Sequence, residues 1–124
     1  MTFDKFTIKA QEAIQEAVNL VQARGQQAIE PEHLLAGILK VGENVTNFLF
    51  QKLGVNSRQI EQILESQIAS LPKVQGGEPY LSRESNEVLT RAQDYASKGG
   101  DEFVSLEPML LALLTVKSTA SRIL

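Results

Sequence analysis

The chain has 124 residues, enough for one domain with a substantial core and too few for two. Fifteen acidic residues against twelve basic ones leave a net charge of −3, which argues against a nucleic-acid surface because that needs clustered lysine and arginine. Cysteine is absent, so disulfides and thiol chemistry are excluded. The N-terminal segment is too polar for a signal peptide and no apolar run approaches a membrane span, so we expect a cytoplasmic protein without membrane contact.

An internal repeat organises the sequence and bears on the fold more directly than any local motif. Residues 7–40 align with residues 82–115 at one constant offset and without a gap. The unit does not match the tetratricopeptide or ankyrin pattern, so two copies predict a pseudo-twofold domain rather than a solenoid. The identical pairs are Glu12/Glu87, Ala17/Ala92, Gly25/Gly100, Glu32/Glu107, Leu35/Leu110 and Leu39/Leu114.

Helical periodicity dominates the first copy. Its first helix carries apolar residues at helical spacing, with Thr7 as the N-cap and Gly25 just past the end. A second helix begins at Pro31, where the missing backbone N–H costs nothing, and runs to about Lys40. A third helix is predicted over residues 44–53. The fourth helix is predicted to begin at an N-cap supplied by Asn56 or Ser57.

A connector rich in proline and glycine separates the two copies. Residues 71–80 hold two prolines and two glycines, which excludes regular structure there. The cycle then restarts, with Ser82 capping a fifth helix that ends at two glycines, and Ser105 opening a sixth. At the same offset, residues 119–124 correspond to residues 44–49, the opening of the third helix.

These elements predict a single all-α domain over residues 1–124. Repeat one covers about residues 6–71, the connector residues 72–80, and repeat two about residues 81–124. Because repeat two stops partway through its third helix, the chain is expected to be a fragment of a longer protein.

Sequence motifs for catalysis are missing. The chain has no Walker A loop, no HExxH motif, no paired zinc-spacing ligands and no nucleophile elbow. His33 is the single histidine, so a metal site built on it would lack a second histidine or cysteine ligand. Packing beneath the second helix is the favoured interpretation of His33. The prediction for this chain is no catalytic residue, no metal site and no cofactor.

The second copy holds the candidate interaction residues. Glu107 lies in the first turn of the sixth helix, where a carboxylate complements the helix dipole, and Asp101 lies in the preceding loop. Phe103 and Leu106 bracket the entry to that helix, and Tyr95 lies near the end of the fifth. One interpretation is that the apolar residues of this set pack in the core and that its acids are simply solvated. A shallow apolar groove flanked by acids is the functional alternative.

Four segments together carry a family resemblance. They are FDKFTIKAQEAI, IEPEHLLAGIL, LPKVQGG and GGDEFVSLEPMLLALL, and the resemblance extends over essentially the whole chain. The sequence resembles the N-terminal Clp repeat domain of the bacterial AAA+ disaggregases of the Clp/heat-shock-100 family. The connector LPKVQGG favours this disaggregase branch over the protease-partner ATPases.

The resemblance implies both a fold and a function. The family fold has eight helices in two pseudo-twofold four-helix repeats. The parent is a homohexameric ATPase that threads aggregated polypeptides through its pore with an Hsp70-type chaperone, and its ATP and magnesium sites lie in AAA+ modules outside this chain. The N-terminal domain itself binds exposed hydrophobic segments of unfolded or aggregated proteins and delivers them to the motor.

The resemblance also implies positions for the binding site. The polar functional positions of the family match Thr7, Asp101 and Glu107, and its apolar groove lies near Leu89, Tyr95 and neighbouring positions. A charged residue at position 91 departs from a purely apolar lining. The residues expected to bind substrate are Thr7, Leu89, Arg91, Tyr95, Asp101, Phe103, Leu106, Glu107 and Pro108.

Two alternative functions remain open at this point. A docking domain for folded adaptor proteins, as in the protease-partner ATPases ClpC and ClpA, would bind a partner rather than unfolded substrate. A small helical enzyme would use His33, Asp101 and Glu107, and the absence of cofactor motifs disfavours it.

Overall fold

The computed structural model describes residues 3–74 and 76–116, and within them the fold is all-α, as the periodicity predicted. Two strands of two residues each are the other regular elements of this part of the chain. No helix in it is both long and apolar enough to cross a membrane. The elements are α1 (Ile8–Ala23), β1 (Ala28–Ile29), α2 (Pro31–Val41), α3 (Glu43–Leu53), α4 (Ser57–Ala69), β2 (Tyr80–Leu81), α5 (Arg83–Lys98) and α6 (Leu106–Thr115).

The ends of α1 and α5 are built in the same way, at matching positions of the repeat. The hydroxyls of Thr7 and Ser82 each accept a hydrogen bond from the backbone N–H three residues on, at 3.2 and 3.1 Å. At the other end, Gly25 and Gly100 adopt the left-handed conformation, with φ of 67° and 81°. The predicted caps and stops of both helices are therefore the ones that form.

The two halves exchange short extended segments. In β1 and β2, Ile29 pairs with Leu81 in parallel, and an isolated parallel bridge pairs Phe6 with Val104. In the repeat alignment, position 29 corresponds to position 104, and position 6 corresponds to position 81. The segment that enters the first helix of each half therefore pairs with the loop between the first two helices of the other half.

Backbone hydrogen bonds repeat this exchange on both sides. The Thr7 N–H donates to the carbonyl of Val104 at 2.9 Å. On the other side, the Ser82 N–H donates to the carbonyl of Ile29 at 3.1 Å. Because these bonds cross between the halves, each half depends on the other for its backbone pairing. Tyr80, predicted to lie in the irregular connector, belongs to β2 because it takes part in this pairing.

The helix pair of the first half packs at very close range. A Cβ added at Gly37 on α2 would collide with the backbone carbonyl of Ala13 on α1. The corresponding residues of the second half are Ala112 and Val88, both fully buried, so the second half accommodates larger side chains at the same crossing. Glycine at this crossing therefore lets the two backbones of the first half approach each other.

Helix α4 closes the first half. Asn56 caps it, as one of the two predicted candidates, by accepting from two backbone N–H groups of the first turn. Its buried stripe of Ile60, Leu64 and Ile68 faces inward, and the helix packs against α2. The predicted counterpart of α3 at residues 119–124 lies outside the described residues.

Candidate functional site

An apolar groove of about 390 Å³ lies between the two halves. One wall is made by the end of α3 and the start of α4, including Leu49 and Leu53, and the other by α5, α6 and the loop between them. Three of its leucines are partly exposed to water: Leu53 is 65 % exposed, Leu111 44 % and Leu114 41 %. Apolar side chains that stay exposed along one groove edged by polar groups are typical of an interaction site.

Tyr95 forms part of the groove rim on α5. Its ring is half-buried against the core, and its hydroxyl lies 3.0 Å from Oγ1 of Thr115 at the end of α6. That hydrogen bond lowers the pKa of Tyr95 below its usual value, and the positive charges of Arg91 and Lys98 act in the same direction. The Tyr95 side chain is thus held at the rim by its hydroxyl contact with Thr115.

Two carboxylates add negative charge to the lining. Asp101 follows the left-handed glycine that ends α5, and its backbone N–H closes the helix by donating to Ala96 at 2.9 Å. Glu107 lies in the first turn of α6, where the helix dipole favours a negative charge. Both side chains are exposed, and Pro108 beside them is half-buried. The groove therefore combines an apolar floor with acceptor groups at its edge.

Four of the nine expected binding residues meet in this groove: Tyr95, Asp101, Glu107 and Pro108. Thr7 does not line it, because its hydroxyl caps α1 and its backbone belongs to the exchanged segment. The apolar lining predicted beside the acids is therefore present, with a composition that differs from the expected set.

An exposed patch was expected near Leu89, Tyr95, Phe103 and Leu106, and for the two leucines this expectation is wrong. Both side chains are buried, because Leu89 faces inward on α5 and Leu106 packs against the backbone at Gly42. Phe103 is exposed, as expected, but lies outside the groove lining. Arg91 is also exposed and lies 3.8 Å from the carboxylate of Glu87, as an ion pair one helical turn apart.

Sequence reasoning missed the wall contributed by the first half and the outer face of α6. Leu111 and Leu114 carried a usable signal, since residues 109–114 of α6 are apolar on every side and a small domain cannot bury a whole helix circumference. Leu49 and Leu53 carried no such signal, because α3 reaches the second half only through tertiary packing.

A buried polar network occupies the matching place in the first half. His33 is fully buried, in line with the packing interpretation, and its Nδ1 accepts the backbone N–H of Glu30 at 2.9 Å. Its Nε2 lies 2.7 Å from Oε1 of Gln26, whose Nε2 donates to the carbonyl of Ile68 at 2.7 Å. Burial, assisted by the charge of Arg24, lowers the pKa of His33 to about 4.

The network suits packing better than metal binding. With Nδ1 accepting a backbone N–H, the proton of the neutral ring sits on Nε2 and is donated to Gln26, so neither ring nitrogen of His33 is available as a ligand. Within residues 3–74 and 76–116, no group of three or more histidine, aspartate or glutamate side chains is arranged to hold a metal ion.

Comparison with known proteins places this arrangement among related domains. Residues 5–124 match the family described as the Clp repeat (R) N-terminal domain. Over all 124 residues the chain is 71 % identical to the chaperone protein ClpB of Bacteroides thetaiotaomicron, and it spans 14 % of the length of that relative.

Two solved structures share the fold. The Hsp104 N-terminal domain from Candida albicans has a TM-score of 0.87 and 23 % identity, over 97 % of this chain and 79 % of that one. A structure described as "Peptide from EAEC T6SS Sci1 SciI protein" has a TM-score of 0.84 and 24 % identity, over 98 % of this chain and 75 % of that one.

Proposed function

We propose that this chain, which belongs to the Clp repeat (R) N-terminal domain family, binds exposed hydrophobic segments of unfolded or aggregated proteins in the apolar groove. It performs no catalysis of its own and delivers these segments to the ATP-driven motor of a longer protein. The groove, with water-exposed leucines and a carboxylate rim, is the observation that carries the proposal. The curated relative is named a chaperone, in keeping with this role.

The assembly of the parent belongs to the same proposal, because the chain spans only 14 % of its relative. On the resemblance, the parent is a cytoplasmic homohexamer that uses ATP and magnesium in its AAA+ modules and cooperates with an Hsp70-type chaperone. The part played by this domain is capture at the entrance of the motor, with neither nucleic acid nor membrane as a partner.

The chemistry of the groove fits capture followed by release. Burying apolar surface stabilises a complex by about 25 cal/mol per Å², and the groove has room for only a few side chains. Ordering an unfolded segment costs conformational entropy, so the net affinity should be weak, in the micromolar to millimolar range. Weak binding lets a domain that serves many sequences pass each one to the motor.

A titration of this chain with a permanently unfolded protein, followed by backbone NMR, tests the proposal. We expect shift changes at Leu53, Tyr95 and Leu111 and none at Ile8, which is 77 % exposed and lies outside the groove. Leu111→Ser should weaken binding about tenfold, whereas the matched control Ile8→Ser should leave it unchanged. Shifts that cluster away from the groove, or equal effects of the two variants, would overturn the assignment.

Adaptor docking remains the second candidate because apolar residues are also exposed elsewhere. Ile8 is 77 % and Phe103 47 % exposed, and neither lines the groove. A folded adaptor would engage apolar side chains outside the groove, so pull-down with a folded adaptor should depend on Phe103 and not on Leu111. Capture of unfolded protein should show the opposite dependence.

A further inference from the structure

Gln26 links the C-terminal end of α4 to His33 inside the first half. Its side-chain nitrogen donates to the carbonyls of Ile68 and Leu71, at 2.7 and 3.4 Å, and its Oε1 lies 2.7 Å from Nε2 of His33. Both Gln26 and His33 are buried, and the two carbonyls lie at the end of α4 and the start of the connector. The position of this helix end is therefore coupled to the hydrogen bonds of a buried histidine.

The packing of α4 is looser than that between α1 and α2. The backbones of α1 and α2 approach so closely that a Cβ added at Gly37 would collide with the carbonyl of Ala13. Two clefts of about 230 and 380 Å³ lie instead between α4 and this helix pair, and Ala36 borders both of them. An opening that lets water reach His33 therefore costs least where α4 meets α1 and α2.

We propose that α4 is an acid-sensitive cover: when His33 takes up a proton, the C-terminal end of α4 detaches and the apolar face beneath it becomes exposed. That face consists of Leu20, Ala36 and Leu39, and Leu64 and Ile68 of α4 lose their contacts with it. The device belongs to the first half alone and does not depend on what the groove binds.

The hydrogen bonds of His33 accommodate the neutral ring and not the charged one. Its Nδ1 accepts the backbone N–H of Glu30 at 2.9 Å, so a proton on Nδ1 would place two donors face to face. The charged ring would also be fully buried, where a charge without a partner is costly. Movement of the α4 end away from Gln26 lets water reach the ring, which relieves both penalties.

The charges around His33 act against the protonated ring in the closed state. Arg24, at the end of α1, repels an imidazolium and forms an ion pair with Glu65 of α4. Glu30 and Glu32 are the acidic residues at the start of α2, and their charges do not offset these effects. Burial and the charge of Arg24 together lower the pKa of His33 to about 4.

The direction of the pH effect follows from the two states of His33. In the closed state the pKa is about 4, whereas a ring exposed to water has a pKa near 6.5. The open state therefore binds the proton more tightly, and acid favours opening between pH 6.5 and pH 4. Between pH 7 and pH 5, the equilibrium constant for opening should rise about twentyfold.

Hydrogen exchange of backbone amides in the 124-residue chain, resolved by NMR and corrected for the intrinsic rate at each pH, tests the proposal. A helix as short as α4 is marginal on its own, so its amides lose protection when it detaches. At pH 7, we expect the amides of Leu64 and Ile68 to be at least about tenfold less protected than those of Ala17 and Val21 in α1. Their protection should fall a further twentyfold or about that by pH 5.

Two variants separate His33 from the neighbouring ion pair. His33→Gln should remove the pH dependence of protection in α4, because no group then gains a proton on opening. Glu65→Gln removes the pair with Arg24 but keeps the histidine, so the pH dependence should persist. The reverse result, persistence in His33→Gln and loss in Glu65→Gln, would assign the effect to the ion pair and reject the proposal.

A dye that fluoresces on apolar surface gives a second readout. Fluorescence of 8-anilinonaphthalene sulfonate should rise between pH 7 and pH 5 in the native chain, with helix content retained by circular dichroism, and should stay level in His33→Gln. A rise of equal size in both chains would show that His33 does not control the exposed face.

The native chain decides the question even if His33→Gln does not fold. Equal protection of α4 and α1 at both pH values would mean that water reaches His33 only on global unfolding, and the proposal would be wrong. Lower but pH-independent protection of α4 would mean that its opening leaves His33 buried, and would reject the proposal equally. Neither result bears on binding in the groove.

Discussion

The two halves have the same backbone arrangement and differ in the side chains that it carries. Both first helices use the same cap, the same left-handed glycine stop and the same exchanged backbone bonds. In the first half, the residue after that glycine is Gln26, which reaches inward to His33 and α4. In the second half it is Asp101, which faces the groove. The duplication thus preserves the backbone arrangement, whereas the side chains at this matching position differ between the two halves.

The largest expected effect is a loss of stability in acid that arises in the first half alone. The pKa of His33 falls from 6.5 in the unfolded chain to about 4 in the folded one, so the folded state disfavours the charged ring. This stability is complete above pH 6.5 and is lost as the pH falls towards 4, by about 3 kcal/mol. Urea unfolding across this pH range should show a steeper decline for the native chain than for His33→Gln. Parallel curves would contradict a buried neutral histidine.

The second largest expected loss of stability comes from a substitution at the close crossing of α1 and α2. Gly37→Ala should destabilise the domain by about 2 kcal/mol or more, because the new methyl group collides with the carbonyl of Ala13. The reverse change in the second half, Ala112→Gly, should cost about 1 kcal/mol through helix propensity and lost packing. Urea midpoints measure both. An equal or inverted order would show that the two crossings do not differ as described.

Truncating Gln26 and its counterpart Asp101 to alanine compares what a buried amide and an exposed carboxylate each contribute to stability. Gln26→Ala should cost about 2 kcal/mol, because it leaves His33 and the carbonyl of Ile68 without their partner. Asp101→Ala at the counterpart position should stay within about 0.5 kcal/mol, since the side chain is exposed. Thermal unfolding compares the two, and a comparable loss from Asp101→Ala would mean that this acid supports the fold.

The smallest effect concerns Tyr95 and its counterpart Leu20. Tyr95→Ala should weaken binding of unfolded protein about five- to tenfold while the domain stays folded, because the half-buried ring lies at the groove rim. Leu20 lies beside Leu64 and Ile68 of α4, so Leu20→Ala should lower stability without altering affinity per folded molecule. Circular dichroism and anisotropy titrations of both variants check this, and unfolding by Tyr95→Ala with unchanged affinity would assign the ring to the core.

The positions of the helices could be predicted from the sequence because the signals that begin and end a helix are local. Caps at Thr7 and Ser82 and stops at Gly25 and Gly100 act within one helical turn, so they can be read without tertiary information. The bridges between halves cannot be read this way, since such short strands have no periodicity and their partners lie in the other half of the chain.

The candidate binding site could likewise be predicted only in part. Tyr95, Asp101 and Glu107 were nominated by residue type, at positions beside the end of one helix and the start of the next. Leu89 was placed in the groove by the family resemblance, although its helical position beside Val88 and Ala92 already indicates an inward side chain, and it is buried. Leu106 was chosen for its place at the entry to α6, and only the packed structure shows that its side chain is buried.

The reciprocal pairing of Phe6 with Val104 and of Ile29 with Leu81 has the symmetry of a dimer. Two identical half-length chains related by a twofold axis would make these same contacts, each lending its leading segment to its neighbour. Joining them through residues 70–79 makes the association intramolecular and holds the halves at high effective concentration. Once joined, the two halves need no longer share a sequence, so each can carry different side chains on the same backbone arrangement.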